Sequence, residues 1–191
     1  MVALHERRTD CAMEETRRTY DAALKVCKSL FTLKLQDYGS NWRILRPESL
    51  TDQLLIKARR IRTLETTGAR QVDEGIEPEF IGLVNYAIMS IIQLEKGWLD
   101  APATEPEPIE VWYDEVAETA RALMIAKNTD YGEAWRDMRI SSLTDMVLNR
   151  IYRIKQIEDN QGKTKVSEGL DANYLDLINY ALFALIRLEV A

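Results

Sequence analysis

From Leu50 to Leu64 the apolar residues recur at the spacing of a helix face. With Asp52 as origin and about 100° per residue, Leu50, Leu54, Ile61 and Leu64 fall within about 120–200°. Lys57 falls near ~140°, inside that stripe, and Arg60 near ~80°, on its border. Arg150 and Arg153 hold the same two phases in a later segment. Such cations have two readings. Their stems lie along the core while their heads pair with a carboxylate across the bundle, or their heads face a ligand.

Another segment gives the complementary pattern. With Glu168 as origin, Asp171, Asn179 and Ile186 fall near ~300°, ~20° and ~0°, and Asp176 near ~80°. That face starts rich in carboxylates, holds Asn179 midway and turns apolar. Glu74, Glu77 and Asn85 keep the same phase earlier in the chain. An Asn set among Leu83, Val84, Tyr86 and Ala87 must hydrogen-bond or cost about 1–3 kcal/mol. It bridges two halves of the protein, or it belongs to a site.

These patterns predict three helices in each half, and no stretch alternates as a strand. The first runs from about Asp10 to Gln36, its counterpart from Ile109 to Thr129. Each ends in Asp-Tyr-Gly, which puts Gly39 and Gly132 at the left-handed position after a helix. A loop of roughly ten residues follows. Ser49–Asp52 and Ser142–Asp145 (Ser-Leu-Thr-Asp) then predict capping boxes, Ser as N-cap and Asp at N3. The second helices run to Thr66 and Asn160. The third start near Asp73 and Val166 and end near Lys96 and Val190. Gly97–Pro108 is rich in proline and reads as a linker.

The two halves are copies. Residues 34–65 and 127–158 align without a gap at an offset of 93, and 74–95 align with 168–189 after one inserted residue. The copies share Lys34/Lys127, Asp37/Asp130, Tyr38/Tyr131, Trp42/Trp135, Arg43/Arg136, Arg46/Arg139, Arg60/Arg153 and Asn85/Asn179. They differ where Asp176 matches Gly82, so a metal or base role for Asp176 belongs to the second copy alone.

Composition narrows the classes. Gly and Pro are scarce, which favours helix. A net charge of −6 argues against a general nucleic-acid-binding surface, though not against a local basic pocket. Cys11 and Cys27 on one helix lie ~24 Å apart, too far for a disulfide, which suits a reducing compartment. No apolar run reaches the ~20 residues of a membrane span, and the N-terminus lacks a signal-peptide core. The expected location is cytoplasmic. His5 is the single histidine, so any metal would be Mg²⁺ or Mn²⁺ on carboxylates.

The repeated loop, Lys-x-x-Asp-Tyr-Gly-x-x-Trp-Arg-x-x-Arg, gathers cations and aromatics. Arginines recognise phosphate through several donors, and Trp and Tyr stack on a base. Glu168, Asp171 and Asp176 are the candidate Mg²⁺ or Mn²⁺ ligands. The alternative is that Trp and Tyr anchor the loop, and that Asp37 and Asp130 pair with their own loop's arginines.

The string DYGxxWRxxR, then SLTD, a basic helix and an Asn-Tyr helix, resembles the nucleotide modification associated domain 1 family in two tandem copies. The resemblance implies an association with nucleotide or base modification, carried here by Lys34, Asp37, Tyr38, Gly39, Trp42, Arg43, Arg46 and their counterparts Lys127, Asp130, Tyr131, Gly132, Trp135, Arg136 and Arg139. A looser likeness links the chain to the all-α NTP pyrophosphatases, with Asp176-x-x-Asn179 where that group has ExxD.

The expected architecture is an all-α six-helix bundle, a tandem duplication of a three-helix unit with a pseudo-twofold axis. Residues 1–96 form the first repeat, 97–108 the linker and 109–191 the second, packed as one domain. The expected function is binding or processing of a nucleotide-like phosphorylated small molecule, with metal-assisted phosphate-ester or anhydride hydrolysis as the chemistry. The candidate ligand residues are those of the loop together with Lys57, Arg60, Asn85, Arg150, Arg153 and Asn179. The rival is a non-catalytic helical scaffold or ligand sensor. A homo-oligomer is left open.

Overall fold

A computed structural model describes the backbone of residues 2–68, 75–164, 166 and 168–190, with side chains from residue 12 onward. Among the described residues there are six α-helices and no strand: α1 (Val2–Tyr38), α2 (Pro47–Thr67), α3 (Glu77–Lys96), α4 (Ile109–Tyr131), α5 (Ile140–Asp159) and α6 (Leu170–Arg187). The first and third helices depart from the expected bounds. α1 begins well before Asp10, and α6 is shorter than expected at both ends. α3 begins at Glu77, so Glu74 lies outside the described residues.

The helices form three layers. α3 and α6 pack on each other in the middle, α1 and α4 cover one side, and α2 and α5 the other. This placement explains why α3 and α6 are apolar almost all round while the outer helices are amphipathic. Buried apolar side chains of both copies form one continuous core. No helix among the described residues is long and apolar enough to cross a membrane.

The repeated loops are shorter than expected, because each folds a turn of 3₁₀ helix, Asn41–Ile44 and Ala134–Asp137. Gly39 and Gly132 hold φ of 63° and 61°, as the Asp-Tyr-Gly ends predict. The capping boxes do not form. α2 and α5 start before Ser49 and Ser142, with Arg46 and Arg139 as extended N-cap residues and no side-chain cap. Pro47 suits the first helical turn, where a missing N–H costs nothing.

The Ser-Leu-Thr-Asp residues instead join the two copies. Asp52 pairs with Lys155 at 2.5 Å, and Asp145 with Arg62 at 3.2 Å. Thr51 Oγ1 donates to Glu158 at 2.7 Å, and Thr144 Oγ1 to Glu65 at 2.9 Å. Each contact is the other's image under the 93-residue offset, which defines the pseudo-twofold axis between α2 and α5.

Burial pushes the Glu158 carboxyl above the usual carboxylate range, and the Thr51 hydroxyl offsets part of that. The folded chain therefore holds this proton more tightly than the unfolded chain does. The stability it contributes is full below the ordinary value of 4.5 and is lost as pH rises through the raised value. Glu158→Gln keeps an acceptor for Thr51 and should flatten that fall. Melting temperatures of both proteins from pH 4 to pH 7 test this; parallel curves would count against it.

Candidate functional site

The arginines of the repeated loop turn inward. Arg43 is 1 % exposed. Its Nε faces the Glu107 carboxylate at 3.2 Å, and its guanidinium also donates to Gln93 Oε1 and to the Gly97 carbonyl at 2.6 Å. Arg136 donates to Glu133 at 2.8 Å and to Thr16 at 2.6 Å. Arg43 thus joins the loop to the end of α3 and to the linker, and Arg136 joins its loop to α1. The Arg43 guanidinium is enclosed by these internal acceptors, whereas Arg136, 34 % exposed, keeps part of its guanidinium at the surface. Arg46 is exposed, 6.0 Å from the Trp98 ring, and Arg139 is exposed as the N-cap of α5.

The two asparagines also face inward. Asn179 Nδ2 donates to the Ala120 carbonyl at 3.1 Å, and its Oδ1 accepts from Tyr20 at 2.7 Å. Asn85 Nδ2 donates to the Cys27 carbonyl at 3.0 Å, and its Oδ1 accepts from Tyr113 at 2.9 Å. Each Asn holds a helix of its own copy and is held by a tyrosine of the other. Each amide thus bridges the two copies, and Asn85 also lines the cleft described below. Burial pushes both phenols far above the ordinary tyrosine range, so they stay neutral donors.

The cations of α2 and α5 meet carboxylates that differ between the copies. In the second copy Asp176 accepts from Lys127 at 2.5 Å and from Arg150 at 2.9 Å. In the first copy Gly82 replaces Asp176, and Glu79, one turn earlier, takes over. Glu79 accepts from Lys57 at 3.2 Å and from Arg60. The second copy has Asn173 at the position of Glu79, and its side chain turns back to the Gly169 carbonyl at 2.7 Å. The carboxylate has in effect moved along the helix, and each move leaves a different cation behind. Lys34 in the first copy and Arg153 in the second make no ion pair among the described residues.

The exchange opens a cleft in the first copy. It measures about 500 Å³ between α1, the 3₁₀ turn, α2 and α3, and its walls include Lys34, Tyr38, Trp42, Lys57, Tyr86 and Met89. Gly82 forms part of the floor, and the Lys57 chain lies across it. Trp42 Nε1 is buried there with no hydrogen-bond partner. Tyr38 is 66 % exposed at the rim. In the second copy the same volume is filled. Asp176 occupies the place of Gly82, and Phe183, at the position of Met89, stacks on Trp135 at 4.4 Å and 4°. Trp135 is 5 % exposed.

The family model of the Nucleotide modification associated domain 1 matches residues 34–94 and 127–188. The chain belongs to this family. No curated protein and no solved structure matches the chain. It carries two copies of a nucleotide modification associated domain, and the matched segments hold the loop, the basic helix and the Asn-Tyr helix of each copy.

The two nucleotide modification associated domains are therefore unequal. A cleft of about 500 Å³ lies beside Gly82 in the first domain, whereas the matching Asp176 of the second is held by two cations. Of the expected ligand residues, Lys34, Tyr38, Trp42, Lys57 and Asn85 come together at the cleft. Asp37, Asp130 and Tyr131 are exposed and make no ion pair or hydrogen bond with the loop arginines. Arg153 lines a separate, more open pocket of about 490 Å³ with Gln156 and Lys163. The expected metal ligands do not assemble. Glu168 and Asp171 are exposed, both Asp176 oxygens face cations, and no three acidic, His or Cys side chains cluster among the described residues. Glu79 and Met89 were not among the expected site residues. Their signal was present in the repeat, as Glu79/Asn173 and Gly82/Asp176 one turn apart and Met89/Phe183 on the same helix.

Proposed function

We propose that the first-copy cleft binds a nucleotide-like phosphorylated small molecule. The observation that carries this is the cleft itself, lined by Lys34 and Lys57 and by the Trp42 and Tyr86 rings. Lys34 and Lys57 supply cationic donors for phosphate. Trp42 and Tyr86 offer ring faces for a base, and Tyr38 closes the rim. Membership in a nucleotide modification associated family agrees with this ligand class. Glu79 is the one carboxylate among the lining residues described, and Lys57 and Arg60 already hold it. The proposal is therefore for binding, with Mg²⁺ and Mn²⁺ as arms of the test.

The test is a thermal-shift panel of nucleoside mono-, di- and triphosphates, each with and without Mg²⁺ or Mn²⁺, followed by a pyrophosphate-release assay. A ligand at a hundred times its Kd adds ~2.7 kcal/mol, or roughly 5–10 °C for a chain of this size. Lys34→Ala should reduce the shift without changing the unliganded melt, since Lys34 is exposed and unpaired among the described residues. The inward arginines favour the second reading, a helical scaffold. That reading expects a flat panel with every nucleotide and metal.

A further inference from the structure

The second copy shows what the first-copy cleft is built to hold. Lys127 and Arg150 correspond to Lys34 and Lys57, and between them sits the Asp176 carboxylate, at 2.5 and 2.9 Å. Trp135 corresponds to Trp42, and on its face lies the Phe183 ring, at 4.4 Å and nearly parallel. An anion between two cations and an aromatic ring flat on a tryptophan are the two recognisable ends of a nucleotide. In the first copy neither stands at the matching position. Gly82 supplies no carboxylate, and Glu79 pairs with Lys57 and Arg60 from one turn earlier. Met89 supplies no ring, and a cleft of about 500 Å³ lies there.

We infer that the second copy is a self-occupied site, in which Asp176 and Phe183 stand where a ligand's phosphate and base bind in the first. Resting on the proposed nucleotide reading, this places the ligand. Its anionic group lies between Lys34 and Lys57, whose chain itself covers Gly82, and its ring lies on Trp42 in place of Phe183. The protein then binds one ligand per chain despite its duplication. Charge supports this division. Asp176 answers both Lys127 and Arg150, so a second anion there would meet no free cation. Lys34 has no such answer among the described residues, and Lys57 shares Glu79 with Arg60. Space supports it as well. A Cβ built on Gly82 would lie 2.6 Å from Lys57 Cε and 2.9 Å from its Nζ. A side chain at residue 82 would thus displace the flexible lysine and enter the anion position.

The inference is tested by isothermal titration of the full chain with two probes, inorganic pyrophosphate and AMP. Wild type should take up one equivalent of each. Gly82→Asp gives the first copy its own carboxylate and should abolish uptake of both. Gly82→Ala, which adds bulk without charge, should weaken pyrophosphate less than Gly82→Asp does. Asp176→Gly with Phe183→Met should raise the stoichiometry to two equivalents. Two equivalents in wild type, or full affinity in Gly82→Asp, would overturn the inference. If Asp176→Gly fails to fold, the Gly82 variants still decide, because they displace the flexible end of Lys57 and their melts report any loss of its pair with Glu79. Uptake of pyrophosphate alone, lost in Gly82→Asp, would keep the anion position and reject the nucleotide reading. AMP uptake that ignores residue 82 would keep that reading and reject the inference. No uptake of either probe rejects both.

Discussion

Arg43→Ala should lower the stability of the folded chain by about 3–5 kcal/mol, the cost of removing one partner from a buried ion pair. The guanidinium is almost wholly buried and answers Glu107, Gln93 and the Gly97 carbonyl together. Without it the Glu107 carboxylate, 18 % exposed, loses its cation, and the Gly97 carbonyl loses its donor. Lys cannot replace the branched donor set, so Arg43→Lys should recover little. Arg136→Ala should cost less, because that side chain is 34 % exposed and water can solvate what it leaves. Chemical denaturation of the three variants checks the order. A melt of Arg43→Ala equal to wild type, with loss of nucleotide binding, would return Arg43 to the role of a ligand residue.

Asn179→Ala should cost about 1–3 kcal/mol, since it strands the Tyr20 hydroxyl in the core, while the Ala120 carbonyl, in the middle of α4, keeps its helical donor. Asn85→Ala should cost a similar amount through Tyr113 and Cys27. The two clasps lie in different copies and share no partner, so the losses should add. A double-mutant cycle with Tyr20→Phe isolates the contact between copies. Coupling between Tyr20 and Asn179 but none between Tyr20 and Asn85 is the expected pattern. Coupling of the reverse kind would mean that the copies are not clasped across the axis as described.

The asparagines show how far the sequence could be read. Their phase among apolar neighbours already demanded a buried hydrogen bond, and bridging of the halves was one of two readings. Nothing local separated the readings, because Tyr20 lies 159 residues from Asn179. The same holds for Thr51 and Asp52. Their Ser-Leu-Thr-Asp setting matches a helix start, yet their partners are Glu158 and Lys155 of the other copy. Position in a local motif competes poorly with a charged or hydroxyl partner brought in by packing.

The cleft was legible only in its ingredients. Lys34, Tyr38, Trp42 and Lys57 were candidates, but so were Arg43 and Arg136, and repetition marked all of them alike. A duplicated residue is held fixed equally well by a partner in the other copy and by a ligand. The difference at Gly82 and Asp176 marked the inequality of the copies but not its form. In the folded chain Asp176 is paired with Lys127 and Arg150, and a cleft lies beside Gly82.

The sequence by itself determined the helices, the glycine stops at Gly39 and Gly132, the duplication and the family. These depend on periodicity and on residues close in the chain. The tertiary structure decided which polar residues face each other across the pseudo-twofold axis, and which copy keeps open space. Those outcomes depend on side chains as far as 159 residues apart meeting in the core, and on the volume left when Gly82 and Met89 take the places of Asp176 and Phe183.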